Sequence, residues 1–258
     1  MDSVGSASIL STSSNRHSTP KDKTPDASTS AIKYYGRRKG KPLKTGRQSL
    51  LETVLPDIRV TAAGLPGSVD PKTFFEPHPS AVNLEIGFGS GEHLAAKAAA
   101  NPKEGFLGSE VFLNGVASLV RHVHESSLKN VRIFDEDVRH LLPTLKDASF
   151  DRIFLLFPDP WPKTRHAKRR FIGPTMLDEL ARLLVDDGEL RVASDHPIYV
   201  RWTLLHTPTH PLFTWTAKGP EDWRKRPVDS VATRYEQKAR KEGRDPVFLT
   251  FRRTPRKS

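Results

Sequence analysis

Three stretches of the chain bring together residue types that could do chemistry. In the first, Glu85-Ile86-Gly87-Phe88-Gly89-Ser90-Gly91, three glycines follow an apolar run and precede a helical pattern. Glycines so spaced permit a tight turn and let the backbone approach a ligand closely. A dinucleotide fingerprint would need its third glycine where Glu92 stands, and a carboxylate there would repel a diphosphate at a helix N-terminus. S-adenosylmethionine has no phosphate and carries a positive sulfonium, so it suits this loop better; the plainer reading is a Gly-rich turn with no ligand. Glu110, nineteen residues beyond Gly91 at the end of the next apolar run, suits the hydroxyls of an adenosine ribose. Asp137 could meet an adenine edge, with Asp135 and Glu136 competing for that role, or this acidic cluster could cap a helix.

The second stretch, Pro158-Asp159-Pro160-Trp161-Pro162-Lys163-Thr164-Arg165-His166-Ala167-Lys168-Arg169-Arg170, is the least ordinary. Three prolines stiffen it, one aspartate stands at the mouth of a predicted strand, and five Lys or Arg side chains follow. Open α/β folds bind ligands at the carboxyl ends of their strands, which is where this loop falls. Trp161 could stack on a base or brace the loop against the sheet. The third stretch, Thr233-Arg234-Tyr235-Glu236, opens a charged helical pattern. Asp195, just before His196-Pro197, could simply cap the helix that follows.

These residues need a scaffold, and the rhythm of the chain supplies one. Predicted strands at 81–86, 105–111, 130–134, 150–157 and 188–194 alternate with helical patterns at 93–100, 113–126, 139–146, 174–184 and 197–206. Such alternation predicts an α/β fold with a largely parallel sheet and helices on both faces. Apolar runs at 212–216 and 246–251 could close the sheet as an antiparallel pair. Before the scaffold, residues 1–31 are dominated by Ser and Thr with no apolar periodicity, which predicts a disordered tail. Residues 32–47, IKYYGRRKGKPLKTGR, read as a basic arm or a solvated linker, and the folded domain as 48–258.

Composition agrees with a folded body carrying a polar appendage. The chain has 258 residues, a formal net charge of +11 and no cysteine, which excludes a disulfide scaffold, thiolate catalysis and cysteine-ligated zinc. Seven basic and no acidic residues lie in 31–50, and 151–258 hold twenty-two basic against fourteen acidic. Residues 51–150 are acidic, with thirteen acids against nine bases. The segregation points to a polyanionic partner meeting the arm and the C-terminal half. No run is long and apolar enough for a membrane helix and no export signal opens the chain, so a soluble, cytoplasmic protein is expected. His93, His122, His124, His140, His206 and His210 show no metal-ligand spacing.

Together LEIGFGSGEHL, GSEVFLNGV, PDPWPKTRHAKRRF, ASDHPIYVRW and TRYEQKARKEGRDPVFLTF, with GRRKGKPLKTGRQ in the arm, make the chain resemble the tRNA (guanine-N7-)-methyltransferases over about residues 36–253. The resemblance implies a Rossmann-like class I methyltransferase fold that uses S-adenosylmethionine, needs no metal, and methylates N7 of guanosine 46 in tRNA. It implies cofactor contacts from Glu85, Glu110 and Asp137 beside the loop of Gly87, Gly89 and Gly91. Asp159 would be the active-site carboxylate, and Lys163, Asp195, Thr233, Arg234, Tyr235 and Glu236 would bind the substrate nucleotide. Guanine N7 carries a lone pair and no proton, so the reaction asks for alignment more than for a general base. Carboxylates at Asp159 and Asp195 could stabilise the positive charge left on the ring, while Lys163, Arg169 and Arg170 suit phosphates or the O6 side. Two other readings stay open: the same fold methylating another RNA base or a small molecule, and a non-catalytic RNA-binding protein that retains the fold.

Overall fold

The computed structural model describes Met1 and residues 36–256. Apart from Met1, the tail expected over 1–31 lies outside the described residues, as do residues 32–35 of the arm.

Helix α1 (Thr45–Thr53) begins three residues before the boundary expected at Gln48 and ends at Val54, after which Pro56 stands in the first turn of the short α2 (Leu55–Ile58). The alternation then runs β1 (Val82–Ile86), α3 (Glu92–Ala100), β2 (Gly105–Ser109), α4 (Leu113–Glu125), β3 (Val131–Phe134) and β4 (Phe150–Leu156). It continues through α5 (Pro174–Leu183), β5 (Leu184–Ser194), α6 (Pro197–His206), β6 (Phe213–Trp215), α7 (Glu221–Arg224), α8 (Arg234–Lys241) and β7 (Val247–Arg253). All seven strands pair in one sheet of order β3-β2-β1-β4-β5-β7-β6. β7 runs antiparallel to both β5 and β6, and the other pairings are parallel. The expected helix over 139–146 is instead two 3-10 turns, Val138–His140 and Leu142–Thr144. Pro143 lacks the N–H that a continuous helix would need there.

Both faces of the sheet are covered, which is why β1 and β2 are buried along their whole length. On one face the apolar stripe of α4, including Val116, Leu119, Val120 and Val123, packs with Leu94 and Ala98 of α3 and with Phe106 and Ile133 of the sheet. On the other, Leu177, Leu180 and Ala181 of α5 pack with Leu84, Ile153 and Leu190. Register then fixes where the candidate site residues emerge. Ile86 of β1 pairs with Ser109 of β2 and Leu155 of β4, Ser109 pairs with Phe134 of β3, and Leu155 pairs with Val192 of β5. The loops starting at Gly87, Glu110, Phe157 and Asp195 therefore leave the same edge. The strand order reverses at β1, whose neighbours are β2 and β4, and this opens the crevice that open α/β sheets use for ligands.

Candidate active site

The Gly-rich loop is held in a shape that most side chains would oppose. Gly87, Gly89 and Gly91 have φ of 69°, 58° and 77°, left-handed values natural to glycine. A β-carbon on Gly87 would meet nothing within 4 Å, so its backbone faces the open cleft. On Gly91, which caps α3, a β-carbon would come within 2.7 Å of Leu119 of α4. The same helix approaches Gly89, because Gly115 has no side chain to meet that residue's carbonyl oxygen.

Beneath the loop, Glu85 is buried and its Oε2 lies 2.8 Å from Nδ1 of His93, also buried, whose ring meets Phe154 edge-on. Glu85 is not on the wall of the cleft, and pairing with it is a role for His93 that the sequence did not reveal. Glu110 is on the wall. Its Oε2 accepts from the N–H of Gly89 at 2.9 Å and its Oε1 from the N–H of Phe112 at 2.9 Å, so one carboxylate joins the Gly loop to the head of α4. Burial pushes the Glu110 carboxyl above its ordinary range; the backbone donors of Phe112 and Gly89 work against this, and the nearby charge of Asp159 adds to it.

The acidic cluster after β3 divides its work. Arg59 takes Asp135 at 2.7 Å, which removes that residue from the competition. Asp137 caps the turn that follows, its Oδ1 accepting from the N–H of Arg139 at 3.1 Å, and it also lines the cleft, so capping and ligand-facing placement coexist. Burial opposes its ionisation, but the hydrogen bonds of Arg139 outweigh burial and hold the carboxyl low.

The cleft has two connected lobes of about 420 and 390 Å³. Glu136, Asp137 and Val138 line the first, while Gly89, Phe157 and Tyr235 line the second. Gly87, Glu110, Asp159 and Trp161 border both. Asp159 is exposed at the end of β4, in a loop where Phe157 and Trp161 take left-handed φ of 53° and 42° although neither is glycine. Strain of this kind persists only where surroundings enforce it. Here Arg170 does so: its Nε donates to the carbonyl of Pro160 at 3.1 Å and its Nη2 to that of Trp161 at 2.9 Å, while its guanidinium lies 4.6 Å from the centre of the Trp202 ring. Arg170 is therefore a brace of the loop, and it lines the first lobe as well. Trp161 has His166 edge-on at 5.9 Å and Arg169 over its ring at 4.9 Å, so it is packed within the loop and borders the cleft as well.

Lys163 is exposed and opens the 3-10 turn Thr164–Arg169 without lining either lobe. Asp195 also lies off the cleft wall. It does not cap α6; His196 does, its Nδ1 accepting from the N–H of Ile198 at 3.3 Å, and the Asp195 carboxylate accepts from Nε of Arg244 at 2.6 Å. The Thr233–Glu236 segment does reach the site. Thr233 caps α8, its Oγ1 accepting from the N–H of Glu236 at 3.1 Å; Arg234 hydrogen-bonds the hydroxyl of Ser90, and the Tyr235 ring lies over Gly89. Glu236 turns inward to Arg226 at 3.2 Å and Arg240 at 3.1 Å.

The segment before α8 is tied down by a cluster the sequence analysis missed. Asp229 binds Lys97 of α3 at 3.0 Å and Arg191 of β5 at 2.8 Å. Burial works against the charge on Asp229, but Lys97 and Arg191 outweigh it and pull the carboxyl down to about 2. Lys97 among the alanines of EHLAAKAAA was the visible signal, since a lysine buried on an apolar helix face requires a partner.

The chain's relatives carry the same chemistry in their names. A family model described as a methyltransferase, Methyltransf_4, matches residues 79–249. A tRNA (guanine-N(7)-)-methyltransferase of Rhodospirillum rubrum is 54% identical over 234 residues, covering 90% of this chain and 92% of that one. One from Paramagnetospirillum magneticum is 50% identical over 232 residues, covering 90% and 97%. Among solved structures, an rRNA methylase from Streptococcus thermophilus superposes with a TM-score of 0.46 at 10% identity, over 75% of this chain and 91% of that one. A family match over residues 79–249, with relatives 54% and 50% identical across 90% of the chain, shows that the chain belongs to the tRNA (guanine-N(7)-)-methyltransferase family.

Proposed function

We propose that this protein methylates N7 of a guanosine in tRNA, guanosine 46 by its resemblance, acting in the cytoplasm. When bound, S-adenosylmethionine supplies an electrophilic methyl on a cationic sulfonium. The residues present fit such a cofactor, since Glu110, Glu136, Asp137 and Asp159 offer carboxylates in a cleft whose floor at Gly87 is bare backbone, while Lys168, Arg169 and Arg170 line the first lobe as well. Each oxygen of Glu110 has a lone pair left after its backbone hydrogen bond, enough to accept from ribose hydroxyls. Asp137 is held ionised at the far wall, beside the region suited to the adenine.

The observation that carries the proposal is that Asp159 borders both lobes. A carboxylate so placed can stabilise the positive charge that develops on guanine as its N7 takes the methyl group, and can accept from the ring's N–H groups. Tyr235, next to it in the second lobe, offers a face for the base, with Arg234 beside it on the Gly loop; Lys163 and Asp195, off the cleft wall, would meet parts of the substrate nucleotide or its neighbours that lie outside the two lobes. Glu85, from beneath the loop, serves the cofactor by holding His93 and the turn above it. No proton has to leave N7, so the chain's task is alignment and charge, which can contribute several kcal/mol.

Incubating the recombinant protein with labelled cofactor and tRNA lacking the modification should yield N7-methylguanosine on digestion, at guanosine 46 when the site is mapped. Asp159→Ala should abolish turnover while tRNA still binds. Turnover undiminished in that variant would remove Asp159 from the site, and absence of N7-methylguanosine with the wild type would overturn the reading.

A further inference from the structure

The basic arm is clasped where it enters the fold. The carbonyl of Arg38 accepts from the N–H of Leu113 at 2.9 Å. The N–H of Gly40 donates to Oδ1 of Asn114 at 2.8 Å, and Nδ2 of Asn114 donates to the carbonyl of Lys41 at 2.8 Å. Asn114 thus spends both halves of its amide on the backbone of the arm, a pairing only a primary amide can make. Gly40 has no room for a side chain: a β-carbon would lie 2.8 Å from Oδ1 of Asn114 and from the Phe112 ring. Just upstream, Gly36 borders one lobe of the cleft and Arg37 the other.

One short segment therefore serves two partners. At its start Glu110 faces the cleft and accepts from the N–H of Phe112; at its end Leu113 and Asn114 hold the arm. Four of the arm's cations, Arg37, Arg38, Lys39 and Lys41, are carried on or beside the clasped backbone. A cationic strand fixed at the mouth of the cleft can accompany phosphates leading in. If the strand were loose, RNA binding would have to order it first.

We propose that Asn114 is a positioning residue for RNA: its clasp on Gly40 and Lys41 pre-sets the basic arm at the cleft mouth, so that affinity for tRNA depends on it and affinity for the cofactor does not. The inference rests on the tRNA-methylating reading above. The test uses full-length Asn114→Ala and Gly40→Ala, with KM and kcat measured on unmodified tRNA and cofactor affinity by calorimetry. KM for tRNA should rise roughly tenfold in each, with a shallower dependence of log KM on log salt and unchanged kcat and cofactor affinity. Asn114→Asp keeps the acceptor for Gly40 and loses the donor to Lys41, so it should fall between. An unchanged KM in both alanine variants would overturn the proposal, as would a loss of cofactor affinity equal to the loss for tRNA. If the wild type methylates no tRNA, the functional reading fails by itself, and direct tRNA binding by wild type and variants still decides the clasp.

Discussion

Gly115 of α4 faces the carbonyl oxygen of Gly89 so closely that no β-carbon fits between helix and loop. The contact is backbone against backbone, so no side-chain rotation can relieve it. Gly115→Ala should push the Gly loop out of place, weakening cofactor binding at least tenfold and costing about 1–3 kcal/mol of stability. Gly46→Ala, in α1 with nothing within 4 Å of the new methyl, is the control and should be neutral or stabilising by up to ~1 kcal/mol. Calorimetric cofactor titration and thermal melts of both variants check this.

Arg170 links three features of the Asp159 loop at once, through the carbonyls of Pro160 and Trp161 and the ring of Trp202. A lysine cannot present two divergent donors and a flat cation together. Arg170→Lys should therefore lower kcat by roughly tenfold through misplacement of Asp159, with cofactor affinity little changed. If Arg170 instead held RNA phosphate, the loss would appear in KM for tRNA and would not fall on kcat.

Glu110 is raised by burial and by Asp159, and a cationic ligand favours its ionised form. Cofactor binding to the wild type in mildly acidic buffer should release a proton, and affinity should fall as pH drops through the raised value. Calorimetry in two buffers of different ionisation heat measures the proton directly, and Glu110→Gln should lose this share of the release.

Asp229 shifts the opposite way. Its folded value, about 2, lies below the unfolded reference of 3.8, so its contribution to stability is complete above pH 4 and is lost as pH falls toward 2. The carboxylate is partly open to solvent, which limits the effect to about 1 kcal/mol or less. Asp229→Asn should flatten the acid limb of the stability curve and loosen the segment that delivers Tyr235 to Gly89, raising KM for tRNA several-fold while the melting point at neutral pH falls by only a few degrees. An acid limb identical to that of the wild type would show that the cluster does not act this way.

Much of the framework could be read from the sequence because it is written locally. β-branched runs mark the strands, and the Gly loop, Glu110, Asp137 and Asp159 stand at strand ends where their positions follow from alternation alone. What escaped depends on partners distant in sequence. Asp195 looks like a helix cap until Arg244, forty-nine residues later, takes its carboxylate and His196 caps instead. That Arg170 braces its own loop through Pro160 and Trp161 cannot be read from a run of basic residues. Leu141, Leu142 and Leu145 gave helical spacing to a stretch that Pro143 splits into two turns, because all three leucines can be buried without a continuous helix.

The placement of β7 bears on how the chain comes to be folded at all. This late strand is inserted between β5 and β6, and among the described residues β6 pairs with the sheet through it alone. While the ribosome has yet to deliver Val247–Arg253, β5 exposes a bare flank and Phe213–Trp215 has nothing to pair with, a template for association with neighbouring nascent chains. The sheet therefore stays open at β5 until those residues are made, and messages truncated before codon 247 should yield insoluble product rather than a smaller working enzyme.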